Sequence, residues 1–269
     1  MNQSERRLWL IKELMSEDDH YRNYDIPAGD REQSNLLRSL MNVREPRPIS
    51  DEFLSIQDEY LKDENARGGL IRLDDLSPVK SDERIYIWQG DITRLQVDAI
   101  VNAANSQMLG CFQPLHNCID NIIHSKAGIQ LRLKMNEIMV AQGHEEPTGQ
   151  AKITPAYNLP CKYVLHTVGP IVSGRLTRDH EDLLASCYRS CLELASQSGV
   201  SSIAFCCIST GVFMFPNERA AEIAVKTVKN WLTDTDSHMQ VVFNVFKDID
   251  LLIYKSILEE DCYEKRVHC

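Results

Sequence analysis

From Arg84 onward, short apolar runs rich in β-branched and aromatic residues alternate with longer stretches whose apolar residues recur at spacings of three and four. No other feature restricts the fold as strongly. The strand-like runs are Ile85-Tyr86-Ile87-Trp88, Ala99-Ile100-Val101, Tyr163-Val164-Leu165-His166, Ile203-Ala204-Phe205-Cys206-Cys207-Ile208 and Val241-Val242-Phe243-Asn244-Val245-Phe246. The helical stretches run from Ile119 to Gln142, Asp182 to Ser198 and Asn217 to Leu232, and Ile249 to Leu258 closes the pattern. This alternation predicts a layered α/β domain in which helices flank a mixed β-sheet. Ligands of such sheets occupy crevices outside the carboxyl ends of strands. Gly90-Asp91, Asn102 to Asn105 and Ser209-Thr210-Gly211 stand at such ends.

Residues 1–80 have a different texture. Leu8-Trp9-Leu10-Ile11 with Leu14-Met15, then Leu36-Leu37 with Leu40-Met41, then Phe53-Leu54, Ile56 and Tyr60-Leu61 predict three amphipathic helices. Pro46-Arg47-Pro48 separates the second from the third, which Ser50-Asp51 would cap. Residues 63–69 read as a loop into the next unit, and the apolar stripes are expected to dock on the main domain. The division is therefore 1–80, a helical extension, and 81–269, the α/β domain. A net charge of -10 argues against nucleic-acid binding, which draws its affinity from clustered cations. No run reaches the roughly 18 apolar residues of a membrane span, and the start of the chain lacks an apolar signal core. The nine cysteines are scattered rather than arranged as a dense disulfide framework, so the expected compartment is the cytoplasm.

Three segments carry chemistry. Cys111-Phe112-Gln113-Pro114-Leu115-His116-Asn117-Cys118 holds two thiols and an imidazole on one loop. Three soft ligands with no fourth close by match a catalytic zinc site, which keeps one coordination position open. The competing reading is a proline-turned loop whose cysteines are small apolar fillers. Ile208-Ser209-Thr210-Gly211-Val212-Phe213 leaves a strand and precedes the helix opened by Pro216 and Asn217. Backbone amides in such a loop can gather round a phosphate, although a plain turn would read the same. Asn102 and Asn105, three apart at a strand end, need partners if buried; a polyhydroxyl ligand or a loop-fixing role would supply them. His124 reads as a helix-anchoring hydrogen bonder, His166 as a satisfied core histidine, and Cys187, Cys191, Cys206 and Cys207 as packing residues. Cys262, His268 and Cys269 read as a polar tail able to bind adventitious metal.

Taken in order, Gly90-Asp91-Ile92, Val101-Asn102-Ala103-Ala104-Asn105 and Ile208 to Phe213 resemble the macrodomain family of ADP-ribose binders. Thr148-Gly149-Gln150-Ala151-Lys152-Ile153-Thr154, Tyr157-Asn158-Leu159-Pro160 and His166-Thr167-Val168-Gly169-Pro170 resemble its MacroD-type branch, whose members remove ADP-ribose from proteins. The resemblance covers about residues 84 to 262 and implies a three-layer sandwich with a mixed sheet between helices. It also implies roles. Asp91 would accept from the adenine amino group, with Ile92 beside it and Phe246 stacking on the ring. Ser209, Thr210, Gly211, Val212 and Phe213 would wrap the diphosphate, Phe213 also packing near the distal ribose. Asn105 would bind the hydroxyls of that ribose, and Asp120 would orient or deprotonate the attacking water.

The chain departs from the branch in three places. Met214 replaces a glycine of the diphosphate loop, Gln150 replaces a glutamate, and Cys111 to Cys118 replaces a short glycine-rich loop. The last change resembles the zinc-containing macrodomains found beside class M sirtuins in microbes, which also carry an N-terminal helical extension. That resemblance implies one Zn2+ per chain on Cys111, His116 and Cys118, and a zinc-dependent hydrolase of mono-ADP-ribosylated protein. The implied substrate is a lipoate-bearing carrier similar to the glycine-cleavage H protein, modified by a partner sirtuin. Two other readings stay open: a non-hydrolytic ADP-ribose reader with a structural zinc loop, and a redox or zinc sensor.

Overall fold

The most uniformly apolar strands lie side by side in the middle of the sheet, where both faces are covered. The computed structural model describes residues 1–21 and 23–267, with side chains through residue 259. Strands β1 (Ile71–Arg72), β2 (Pro78–Val79), β3 (Asp82–Gln89), β4 (Leu95–Gln96), β5 (Ala99–Ala104), β6 (Ala151–Pro155), β7 (Tyr163–Val168), β8 (Ser202–Phe205) and β9 (Gln240–Val245) are interleaved with helices. The helices are α1 (Gln3–Ser16), α2 (Asp30–Val43), α3 (Asp51–Arg67), α4 (Ile119–Ala127), α5 (Ile129–Gln142), α6 (Arg178–Gln197), α7 (Asn217–Asp234) and α8 (Asp248–Val267). The main sheet has the order β2-β3-β9-β8-β5-β7-β6. Its five inner strands are parallel, and β2 and β6 run antiparallel at the edges. Helices flank this sheet, giving the macrodomain-like α/β fold.

One register detail separates β5 from β8 beyond their first residues. β5 pairs with β7 as far as Ala104 and Val168, but with β8 only at Ala99 and Ile100, because β8 stops at Phe205. Beyond that point β5 and β8 have separate courses, and all five parallel strands deliver their carboxyl ends to the same side. Cys206 and Cys207 therefore lie past the strand that the sequence assigns them to, although Cys206 is buried like Cys187 and Cys191.

The three predicted N-terminal helices are present, and Ser50 caps α3 by accepting from the amide of Phe53 at 3.2 Å. Their docking differs from expectation. Leu10, Ile11, Leu14, Leu37, Leu40, Met41, Phe53, Tyr60 and Leu61 bury one another, and Ile129 is the one buried apolar partner from the main domain in that cluster. The seam to the main domain is polar. The side chain of Gln57 accepts from the amide of Ile129 at 3.0 Å, so α3 supplies the cap that opens α5. Asn65 donates to the carbonyls of Asn158 and Lys126 at 2.8 and 3.1 Å. Helical stripes facing each other satisfy the same periodicity as stripes facing a sheet, so the pattern could not distinguish them.

Two boundaries also move. α3 continues to Arg67, through residues read as loop, and β1 and β2 already pair with strands of the α/β domain. The stretch from Ile119 to Gln142 is two helices, broken where Gly128 takes φ 100°. A Cβ there would lie 2.6 Å from Gln130 Oε1 and 2.7 Å from Gln57 Nε2, so the break demands glycine sterically as well as by its torsion. Cys262 has its side chain, and His268 and Cys269 lie wholly, outside the described residues.

Candidate functional site

The loop after β8 folds over its own backbone. Phe215 N donates to Ser209 O at 3.0 Å and Met214 N to Gly211 O at 3.1 Å, while Val172 N from the loop after β7 donates to Phe213 O at 2.9 Å. Ser209 and Met214 sit at φ 66° and 53°, the left-handed turns that let the chain curl this tightly. The amides of Gly211, Val212 and Phe213 make no hydrogen bond among the described residues, and Gly211 and Val212 are exposed. Successive unpaired amides of this kind can gather round an anion, and no side chain caps the start of α7 that follows. Ser209 packs so closely against Gly169 that a Cβ at 169 would lie 2.0 Å from Ser209 Oγ. The loops after β7 and β8 are thus one wall.

Two strands along the sheet from β8, Asp91 caps the turn Ile92–Arg94. Its Oδ1 accepts from Thr93 N at 3.0 Å and Thr93 Oγ1 at 2.5 Å, and Oδ2 pairs with Lys126 Nζ at 2.9 Å. Burial works against its ionisation, but the hydrogen bonds from Thr93 and the charge of Lys126 hold the carboxyl below its usual range. In this structure Asp91 is the cap of that turn. Ile92 is fully buried in the main core, which leaves its backbone rather than its side chain for contact with a ligand. Phe246, next to Asp91 in the sheet order, is 74% exposed.

Asn105 follows β5, and Asp120 stands on α4. Asn105 Nδ2 donates to Gly110 O at 3.1 Å and its Oδ1 accepts from Gln107 N at 3.0 Å, shaping the turn that leads into Cys111. Asp120 lies in the first turn of α4, whose N-cap is Cys118. It is 5% exposed and accepts from Asn102 Nδ2 at 2.8 Å. Burial pushes its carboxyl up to about 6, against the opposing effects of that hydrogen bond and of Arg132. Asn102 is wholly buried, so its partners are Asp120 and His166 rather than a ligand's hydroxyls. His166 is the satisfied core histidine expected. His124 is not the expected hydrogen bonder: both ring nitrogens lack a partner among the described residues, and Nε2 lies 3.6 Å from Asp120 Oδ1.

The sulfurs of Cys111 and Cys118 and a ring nitrogen of His116 all lie within 4.8 Å of one another. Cys111 Sγ is 3.6 Å from His116 Nδ1. Burial pushes the Cys118 thiol up to about 11, eased by the Asn121 amide but raised again by Asp120 and Cys111. The donor set fits a thiophilic divalent cation: converging soft ligands, with a thiol that stays protonated unless positive charge arrives. Sequence reading missed what holds this loop. Asn121 Nδ2 donates to Gln113 O at 2.7 Å and Cys111 O at 3.3 Å, while its Oδ1 accepts from Arg38 at 2.8 Å and Asn42 at 3.0 Å of α2. Arg38 also donates to His116 O at 2.6 Å and Asn42 to Pro114 O at 3.1 Å. Arg132 stacks over Phe112 at 4.1 Å. None of these residues belongs to a local motif, so no sequence signal marks them.

The macro domain family model matches residues 101–224. The chain is 58% identical to the protein-ADP-ribose hydrolase of Treponema medium, an alignment covering 96% of this chain and all of that protein. It is 52% identical to the protein-ADP-ribose hydrolase of Staphylococcus aureus, over 94% of this chain and 95% of that one. Among solved structures, the Trypanosoma brucei macrodomain in complex with ADP-ribose superposes with TM-score 0.64 at 30% identity, covering 82% of this chain and 94% of that one. Family match, full-length relatives and shared fold agree: this chain belongs to the macrodomain family.

Proposed function

We propose that the protein removes mono-ADP-ribose from modified protein by hydrolysis, with a zinc ion held by Cys111, His116 and Cys118. What supports this reading is the cluster of Cys111, His116 and Cys118, with Asp120 in the first turn of the helix that Cys118 caps, together with the unpaired amides of Gly211, Val212 and Phe213. The loop at 209–213 takes the diphosphate, and Asp91, the Ile92 backbone and Phe246 take the adenine. Asn105 orients the distal ribose. Water attacks the anomeric carbon of that ribose, the bond from that carbon to the protein side chain breaks, and the side chain leaves with a proton. Asp120 accepts the water's proton. When bound, zinc supplies Lewis-acid charge beside the ribose, tempered by two thiolate ligands. The hydrolase names of the full-length relatives support the reaction class. They do not specify the carrier protein, and a lipoate-bearing carrier rests on family likeness alone.

The test is release of ADP-ribose from a mono-ADP-ribosylated protein, paired with ADP-ribose titration by calorimetry. Asp120→Asn should slow release by about 10²- to 10⁴-fold while leaving ADP-ribose affinity in place. Chelation with metal analysis should remove about one zinc per chain, the count a single three-ligand site implies, and should lower release. Wild-type binding without any release would make the protein a reader. Undiminished release after complete zinc loss would exclude the metal from the reaction.

A further inference from the structure

A buried polar chain runs from Asp120 into the sheet. Thr154 on β6, His166 on β7 and Asn102 on β5 stand on three adjacent strands and are each at most 1% exposed. Asn102 and His166 are direct register partners. Thr154 Oγ1 lies 3.0 Å from His166 Nε2, His166 Nδ1 lies 3.1 Å from Asn102 Nδ2, and that same Nδ2 lies 2.8 Å from Asp120 Oδ1.

One nitrogen thus faces two acceptors. Its two protons can serve both the Asp120 carboxylate and His166, but only if His166 Nδ1 presents a lone pair. The ring proton then sits on Nε2, where Thr154 Oγ1 accepts it. If the proton moved to Nδ1, it would face the Asn102 amide protons. Rotating the amide to relieve that would turn its carbonyl oxygen against the Asp120 carboxylate. The tautomer of His166 therefore decides which end of the Asn102 amide Asp120 meets. Asn102 Oδ1 is buried with no partner among the described residues, as expected if the amide is oriented for its nitrogen's two contacts and not for its oxygen.

Building on the hydrolase reading, we propose that His166, held by Thr154 as its Nε2–H tautomer, is a positioning residue that fixes the Asn102 amide and through it the orientation of the Asp120 carboxylate. His166 touches no substrate; it acts two hydrogen bonds away. Burial keeps it neutral, its pKa lowered to about 3, so the tautomer rather than the charge is the controlling variable across the physiological range.

The first measurement is long-range ¹H–¹⁵N NMR on the full-length protein with ¹⁵N-labelled histidine. His166 should show a protonated Nε2 and a lone-pair Nδ1; a protonated Nδ1 overturns the proposal. The second is kinetic. In His166→Gln the side-chain amide can accept from Asn102 and donate to Thr154, and kcat should stay near wild type. His166→Leu removes the acceptor, and kcat should fall about 10- to 100-fold with KM and ADP-ribose affinity unchanged. If His166→Leu does not fold, Thr154→Val strips the Nε2–H of its acceptor without changing shape. It should give a mixed tautomer in the NMR spectrum and a lowered kcat. Wild-type kcat in His166→Leu, or in Thr154→Val with a mixed tautomer, sinks the idea. Wild-type protein and Asp120→Asn separate the two levels: a wild type that releases no ADP-ribose fails the hydrolase reading, Asp120→Asn that hydrolyses normally removes Asp120 as the base and the positioning role with it, and an inactive Asp120→Asn beside an unaffected His166→Leu fails the positioning role alone.

Discussion

Arg132→Ala should destabilise the whole chain although Arg132 touches no ligand-binding residue directly. Its guanidinium is almost fully buried and donates to four backbone carbonyls: Leu109 at 2.6 Å, Met41 at 3.3 Å, Asn42 at 2.8 Å and Arg44 at 2.7 Å. The last three are at the C-terminal end of α2, where carbonyls have run out of intrahelical donors. Each buried carbonyl stripped of its donor costs about 1–3 kcal/mol, less where water can reach it. Stacking on Phe112 contributes about 0.5–1 kcal/mol more. Opposing this, the mutant no longer buries a charge, a cost visible in the lowering of the Arg132 pKa to about 10 by burial. The expected net loss is about 2–4 kcal/mol, read by urea denaturation followed through tryptophan fluorescence. Trp9 in α1, Trp88 in β3 and Trp231 in α7 report both parts of the molecule. Hydrogen exchange should quicken at residues 41–44 and 109–113 together. Arg132→Lys should suffer most of the same loss, because one ammonium cannot span four carbonyls. A loss under about 1 kcal/mol, or exchange that quickens on one side of the seam only, would refute the reasoning.

Stability should fall as pH drops below about 6.5, with a slope that changes near 6. His166, lowered to about 3, and His124, lowered well below 6.5 by burial, are neutral in the folded state but protonate when unfolded, so acid favours unfolding. Asp120, raised to about 6, works the other way between about 6 and 4, binding a proton folded but not unfolded. The two histidines outweigh the one carboxyl there, so stability still falls, and Asp120→Asn should steepen the fall. Urea titrations at successive pH values check this; stability that stays flat down to pH 4 contradicts it. Gly110→Ala combines φ 83° with a Cβ 2.9 Å from His124 Cγ and should cost about 2–4 kcal/mol. A loss below about 1 kcal/mol in the same urea assay would show that the unpartnered His124 ring simply moves aside.

The sequence by itself determined what is local in this protein. Periodicity placed the inner strands and the covering helices, because an apolar run of period two or 3.6 has one sensible burial. Ser50 was legible as a cap because the amide it serves is three residues away. The clustering of Cys111, His116 and Cys118 was legible because all three lie on one short continuous segment. Tertiary structure decided everything that depends on a distant partner. The stripes of α1, α2 and α3 could face each other or the sheet, and only packing showed that they face each other and leave a polar seam. A glycine within a helical pattern is tolerated as often as not; what made Gly128 a break was the crowd of Gln57, Gln130 and Asn158 around it. Asn102 looked like a ligand binder, and its register opposite His166 made it a buried link to Asp120. Arg38, Asn42 and Arg132 carry no motif at all, since a hydrogen bond to a backbone carbonyl imposes no residue type on its acceptor and so leaves no trace in the sequence there.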